Sequence, residues 1–139
     1  MSSLTPSPLL KRVLLVDGLT SLTLGLLLIV TAGLASTVLG LPEGLLRAVG
    51  LICLPFAAAV LWLARQGRPP EAAIWIVIAG NGAWVAASIM LLVSGWVAPT
   101  LLGLAVVIAQ AILVGLFAEL QLVGWKRVHR PMHGQPANT

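Results

Sequence analysis

The residues able to do chemistry in this 139-residue chain are few: four acidic side chains, eight Lys and Arg, two histidines and one cysteine. Asp17 stands five residues after Arg12 in an otherwise apolar run, which sets it roughly 7–8 Å along a helix from that cation. Thr20, Ser21 and Gly25 follow at i+3, i+4 and i+8 on the same helical face, making a polar stripe that also allows close packing. Two chemistries fit Asp17. It is either a titratable site for a proton or cation, or a carboxylate at the membrane interface paired with Arg65, Arg68 or Lys126. Asn81 and Gln110 fall near the middles of later apolar runs, where their amides could bond across a helix pair. Asn81 is flanked by Gly80 and Gly82 and followed by Trp84. It reads as one wall of a substrate pocket or as packing glue. Glu119 comes one and two turns after Gly115 and Ala111, a spacing that predicts a carboxylate pointing into the protein. Glu43 and Arg47, at i and i+4, are placed for a helical ion pair at an amphipathic helix start. The alternative is an Arg47 buried in the membrane.

Other chemistries find no residues. His129 and His133 lie together near the C-terminus and no apolar run contains a histidine, so haem held between helices has no ligands. Two histidines are too few for a metal site. Cys53 is alone and reads as a small packed residue. No phosphate-binding loop, nucleophile elbow, zinc-protease motif or dinucleotide fingerprint is present. The expectation is no catalytic residue, no metal and no cofactor.

The elements that must position these groups follow from composition. Hydrophobic residues make up 59% and charged residues 9%, with mean hydropathy +1.05; a soluble domain has about 25% charged residues. Such a chain cannot be a soluble enzyme, a secreted module or a disordered segment. A membrane span takes about 20 apolar residues. Four runs fit, at about 13–34, 44–64, 72–93 and 100–123. The expected fold is an all-α polytopic membrane protein, a bundle of four transmembrane helices, with a cytoplasmic segment 1–12, mobile over its first eight residues, and a basic, mobile 124–139 tail. The net charge of +4 could raise nucleic acid as a partner. Its carriers flank the apolar runs, however, where cations set topology instead. Lys11, Arg12, Arg65, Arg68, Lys126, Arg127 and Arg130 then share one side and only Arg47 falls toward the other, predicting cytoplasmic termini in an inner membrane. Trp75 and Trp125 mark that face and Trp96 the opposite one. The first run is too long, and too interrupted by Asp17, for a signal peptide.

A shift of 63 residues lays Ala35–Pro42 over Ala98–Ala105 with five of eight positions matching. Either this is chance in a Leu/Gly/Ala-rich chain, or the fold is a parallel duplication of a two-helix hairpin. A duplication would start the second helix near Thr37 and carry Arg47 toward mid-membrane. The stretch Leu39-Gly-Leu-Pro-Glu-Gly-Leu-Leu-Arg-Ala-Val-Gly50, between two apolar runs, resembles small bacterial four-helix membrane proteins of the DoxX-like kind. That resemblance covers the first hairpin and implies an accessory membrane subunit, in a group that includes membrane subunits of sulfur and quinone-linked oxidoreductases. It carries over no catalytic residue, because Ile52-Cys53 stands where such proteins often have an acid. The expected function is therefore a structural or accessory inner-membrane protein, packed against a membrane partner or its own copies. The alternative is a small oligomeric transporter using Asp17.

Overall fold

A computed structural model describes residues 7–129. They form four helices in chain order, α1 (Pro8–Leu39), α2 (Glu43–Arg65), α3 (Glu71–Val93) and α4 (Leu101–Val128), without strand elements among the described residues. All four are long and apolar enough to cross a membrane. Their outward faces carry residues such as Val30, Ile76, Val93 and Leu101, each more than two-thirds exposed. In water these would be unpaid apolar surface; in lipid they are solvated.

Local chemistry sets the ends. Ser7 caps α1 by accepting from the Leu10 amide, and Pro8 sits in the first turn, where no amide proton is needed. Gly40 ends α1 in the left-handed region at φ 67°, a conformation glycine adopts without a Cβ penalty. α1 thus runs five residues past the expected limit of Leu34, because nothing between Gly33 and Leu39 breaks it. It consumes Thr37, so α2 starts at Glu43 and not near Thr37 as a duplication would require. The tail expectation is also corrected at its start, since α4 stays helical to Val128. The mobility expected of the first six residues and of 130–139 lies outside the described residues.

Packing is uneven. α1 lies along α2, and glycines set the distance: a Cβ on Gly50 would come 2.8 Å from the Gly25 carbonyl oxygen. α4 packs on both α1 and α3, whereas α2 and α3 barely touch along most of their length. α1 and α4 are also tied at one end. There Thr100 donates its amide to the Leu39 carbonyl (2.9 Å) and its hydroxyl to the Val38 carbonyl (2.8 Å). The two similar octapeptides therefore lie against each other. α1 and α3 begin 63 residues apart, as α2 and α4 end 63 residues apart. The paired helices differ in length, α1 having 32 residues to the 23 of α3 and α4 having 28 to the 23 of α2.

Buried apolar side chains fall into two clusters. One, built on Leu10, Leu14, Val60, Leu63, Ile74 and Val77, closes the end that holds most of the basic residues. The other, built on Leu28, Ala32, Leu41, Leu46 and Val107, closes the opposite end. Trp75 and Trp125 meet edge to face at 5.0 Å beside the first cluster, on one side as expected. Between the clusters lie the buried polar residues.

Candidate functional site: a carboxylate centre beside a cavity

The buried face of α1 follows Leu10, Leu14, Asp17, Gly25, Leu28 and Ala32, a helical stripe into which Asp17 falls by spacing alone. Asp17 is 1% exposed. Its Oδ2 accepts from Asn81 Nδ2 of α3 (2.8 Å) and from Gln121 Nε2 of α4 (2.7 Å), and its Oδ1 accepts a long bond from the Ser21 hydroxyl (3.4 Å). Asn81 Nδ2 also donates to Gln121 Oε1 at 3.1 Å. The four side chains form one connected network, and the Asp17–Asn81 bond joins two helices whose backbones do not pack together.

Every partner of Asp17 is neutral. The ion pairs among the described residues are Arg47–Glu43 and the long contact His129–Glu71. The expected interfacial pairing of Asp17 with Arg65, Arg68 or Lys126 is not formed. Asp17 lies on the inward stripe of α1, while Arg65 and Arg68 leave α2 at its end, beyond the Leu10–Val60 cluster.

One turn deeper is a second polar group. Trp84 Nε1 donates to Gln110 Oε1 (2.9 Å), and Gln110 Nε2 donates to Ser88 Oγ (2.9 Å) and to the Val107 carbonyl (2.9 Å). The expected Asn81–Gln110 bond is replaced by these two separate networks. Asn81 turns to α1, and Gln110 is satisfied within the α3–α4 pair.

A cavity of about 360 Å³ connects the two groups. Asp17, Thr20, Ser21, Asn81, Trp84 and Gln110 provide its polar lining, and Ile52, Cys53, Phe56 and Phe117 are among its apolar walls. Its volume lies within the range of small-molecule sites, about 300–1,000 Å³. Among the expected residues, Asp17, Ser21, Asn81, Trp84 and Gln110 are brought together.

Two are elsewhere. Arg47 is exposed near the start of α2, 2.6 Å from Glu43, so the i, i+4 ion pair is formed and Arg47 is not packed inside the protein. Arg47→Ala should cost only about 0.3–0.5 kcal/mol, measurable by denaturation of the purified protein. Glu119 does not point inward but is exposed on the outer face of α4. Ala111 and Gly115 line an open groove against Val85 and Ile89 of α3, and Glu119 ends at its rim. The small residues mark a helix contact, but the inward face of α4 is the one carrying Phe117, Gln121 and Gly124.

Gln121 is the functional residue that sequence reasoning passed over. It lies four residues before Trp125 and reads as an interfacial side chain. Its spacing from Phe117 and Gly124, at i+4 and i−3, is the signal that would have found it.

No protein-family model, curated protein or solved structure matches the chain.

Proposed function

We propose that this chain is a small membrane transporter in which Asp17 holds a proton or a small cationic solute. In this reading the four helices form a transmembrane bundle in a bacterial inner membrane, with both termini cytoplasmic. Lys11, Arg12, Arg65, Arg68, Lys126 and Arg127, which flank the helix ends at one side, support that orientation. The likeness of the first hairpin to DoxX-like proteins supports the bacterial assignment.

One observation carries the reading: a buried carboxylate has only neutral partners and lines a cavity. An ionisable group within a span is costly and is normally paired unless it serves a proton or ion pathway. Three of the roughly four acceptor positions of the carboxylate are filled. Oδ1, with its single long bond, retains the capacity to take a proton or a cation.

The test uses proteoliposomes with an imposed pH gradient. Sodium, potassium and an organic ammonium ion are added in turn, and internal pH is followed. The wild type should dissipate the gradient faster with at least one of these ions, and Asp17→Asn should not. Equal rates for wild type and Asp17→Asn with every ion would contradict the transporter reading.

The groove between α3 and α4 favours a second reading, the accessory or self-assembling subunit. Glu119 at its rim faces what would be lipid, a placement a protein neighbour would relieve. If lipid is the neighbour, Glu119→Leu should stabilise the purified protein by about 1 kcal/mol. A loss of stability, or loss of a co-purifying membrane protein from native membranes, would instead mark this face as an interface.

A further inference from the structure

We propose that the cavity receives a lipophilic organic cation from the bilayer, through the gap between α2 and α3, with its charge at Asp17. This rests on the reading that Asp17 holds a solute, and it names the class of solute and its route.

The route follows from which sides are closed. At one end the Leu10–Val60–Ile74 cluster fills the space between the helices, and at the other the Leu28–Leu46–Val107 cluster narrows it to a side cavity of about 130 Å³. Water-borne ions meet a plug of packed apolar side chains from the first end, and from the second a narrow space lined chiefly by Leu and Val. Laterally, α1 is held on α2 by the Gly25–Gly50 approach and on α4 by the Gly124–Leu10 and Thr100–Leu39 contacts, and α3 packs on α4. By the offset of 63 residues, the counterpart of the α1–α4 contact is an α3–α2 contact. That contact is nearly missing. Ile52 and Phe56 of α2 and Gly80 and Asn81 of α3 line the cavity from the two sides of this gap. Ile52 and Gly80 line the cavity and are exposed on this side. A solute dissolved in lipid can enter there, and a hydrated ion cannot.

The class follows from the walls. Phe56, Trp84 and Phe117 line the cavity in which Asp17 is the single carboxylate, with Leu24, Leu113 and Val114 completing an apolar lining. Aromatic faces attract organic cations most strongly where water is excluded, and a nearby carboxylate adds charge. A hydrated inorganic ion would lose its shell against these walls without enough oxygen ligands in return. A second cavity of about 130 Å³ shares Leu24, Trp84 and Gln110 with the first and continues past Leu28, Leu46, Val49 and Leu91. It offers room for an alkyl extension of the solute.

The experiment measures binding to the full chain in lipid nanodiscs. The probes are benzyltrimethylammonium, its uncharged isostere neopentylbenzene, and radiolabelled sodium. The proteins are the wild type, Asp17→Asn and Gly80→Leu. A Cβ at Gly80 meets only Phe56, at 3.6 Å, so the larger side chain extends into the mouth of the gap without a forced clash. Benzyltrimethylammonium should bind the wild type and bind Asp17→Asn at least tenfold more weakly. Neopentylbenzene should show no dependence on Asp17, and Gly80→Leu should slow association of the cation at least tenfold. An unchanged association rate in folded Gly80→Leu would overturn entry between α2 and α3. Asp17-dependent binding of sodium but not of benzyltrimethylammonium would overturn the solute class and leave the broader transporter reading standing. No Asp17-dependent binding of any probe would overturn the solute class and its route, and the transporter reading would then rest on proton movement alone, as the pH-gradient experiment measures it.

Discussion

Asp17→Leu is expected to destabilise the purified protein by about 2–3 kcal/mol, the cost of leaving buried donors without an acceptor. Asn81 Nδ2 and Gln121 Nε2 both aim at Oδ2, and lipid offers neither a substitute. Asn81 can keep its bond to Gln121 Oε1, so one amide bears most of the loss. Asp17→Asn preserves shape and one carbonyl oxygen, and should lose less than about 1.5 kcal/mol, one typical hydrogen bond. The decisive comparison is the triple variant Asp17→Leu, Asn81→Leu, Gln121→Leu, which removes donors and acceptor together. It should recover part of the stability lost in Asp17→Leu alone. Denaturation in mixed micelles, followed by circular dichroism, gives all three values. A triple variant less stable than the single one would mean that the amides have other partners.

The second large effect is expected at Gly103. A Cβ there would collide with the Leu39 carbonyl oxygen, and that oxygen also accepts the Thr100 amide. The collision is with backbone, which cannot rotate away, at the junction holding the start of α4 on the end of α1. Gly103→Leu should cost about 3 kcal/mol, the upper range for overpacking, and should loosen the α1–α4 contact. Gly82 is the control, since a Cβ there meets nothing within 4 Å. Gly82→Ala should be neutral or stabilise α3 by up to about 1 kcal/mol through helix propensity. Equal behaviour of the two variants in the same denaturation assay would contradict the assigned helix contact.

These two positions also show what was readable in the sequence. Four long apolar runs made four helices legible, because no other structure satisfies so greasy a backbone in lipid. Asp17 was legible as a polar residue sharing one face with Thr20, Ser21 and Gly25, but that spacing left it open between a titratable site and an interfacial ion pair. Its partners were not, since periodicity gives the face of each helix but not which faces meet. Asn81 was expected opposite Gln110, and it bonds instead across to α1. Glu119 failed for a related reason. α4 has small residues on two faces, and only the Gly103–Phe117–Gln121–Gly124 face is inward. The faint repeat located the ends of α1–α4 contact but misplaced the start of α2, because Gly40 and Pro42 set that boundary locally.

In the proposed reading, Asp17 is a carboxylate without a charged partner that faces a cavity open to the bilayer. Labelling with dicyclohexylcarbodiimide, a carboxyl reagent that partitions into lipid, tests it most directly when adducts are counted by intact mass. In a Glu119→Gln background, the account predicts one adduct at Asp17, absent after Asp17→Asn and slowed by benzyltrimethylammonium. An Asp17 that stays unlabelled while the protein remains folded would contradict the account, because the carboxylate would then be sealed among its neighbours.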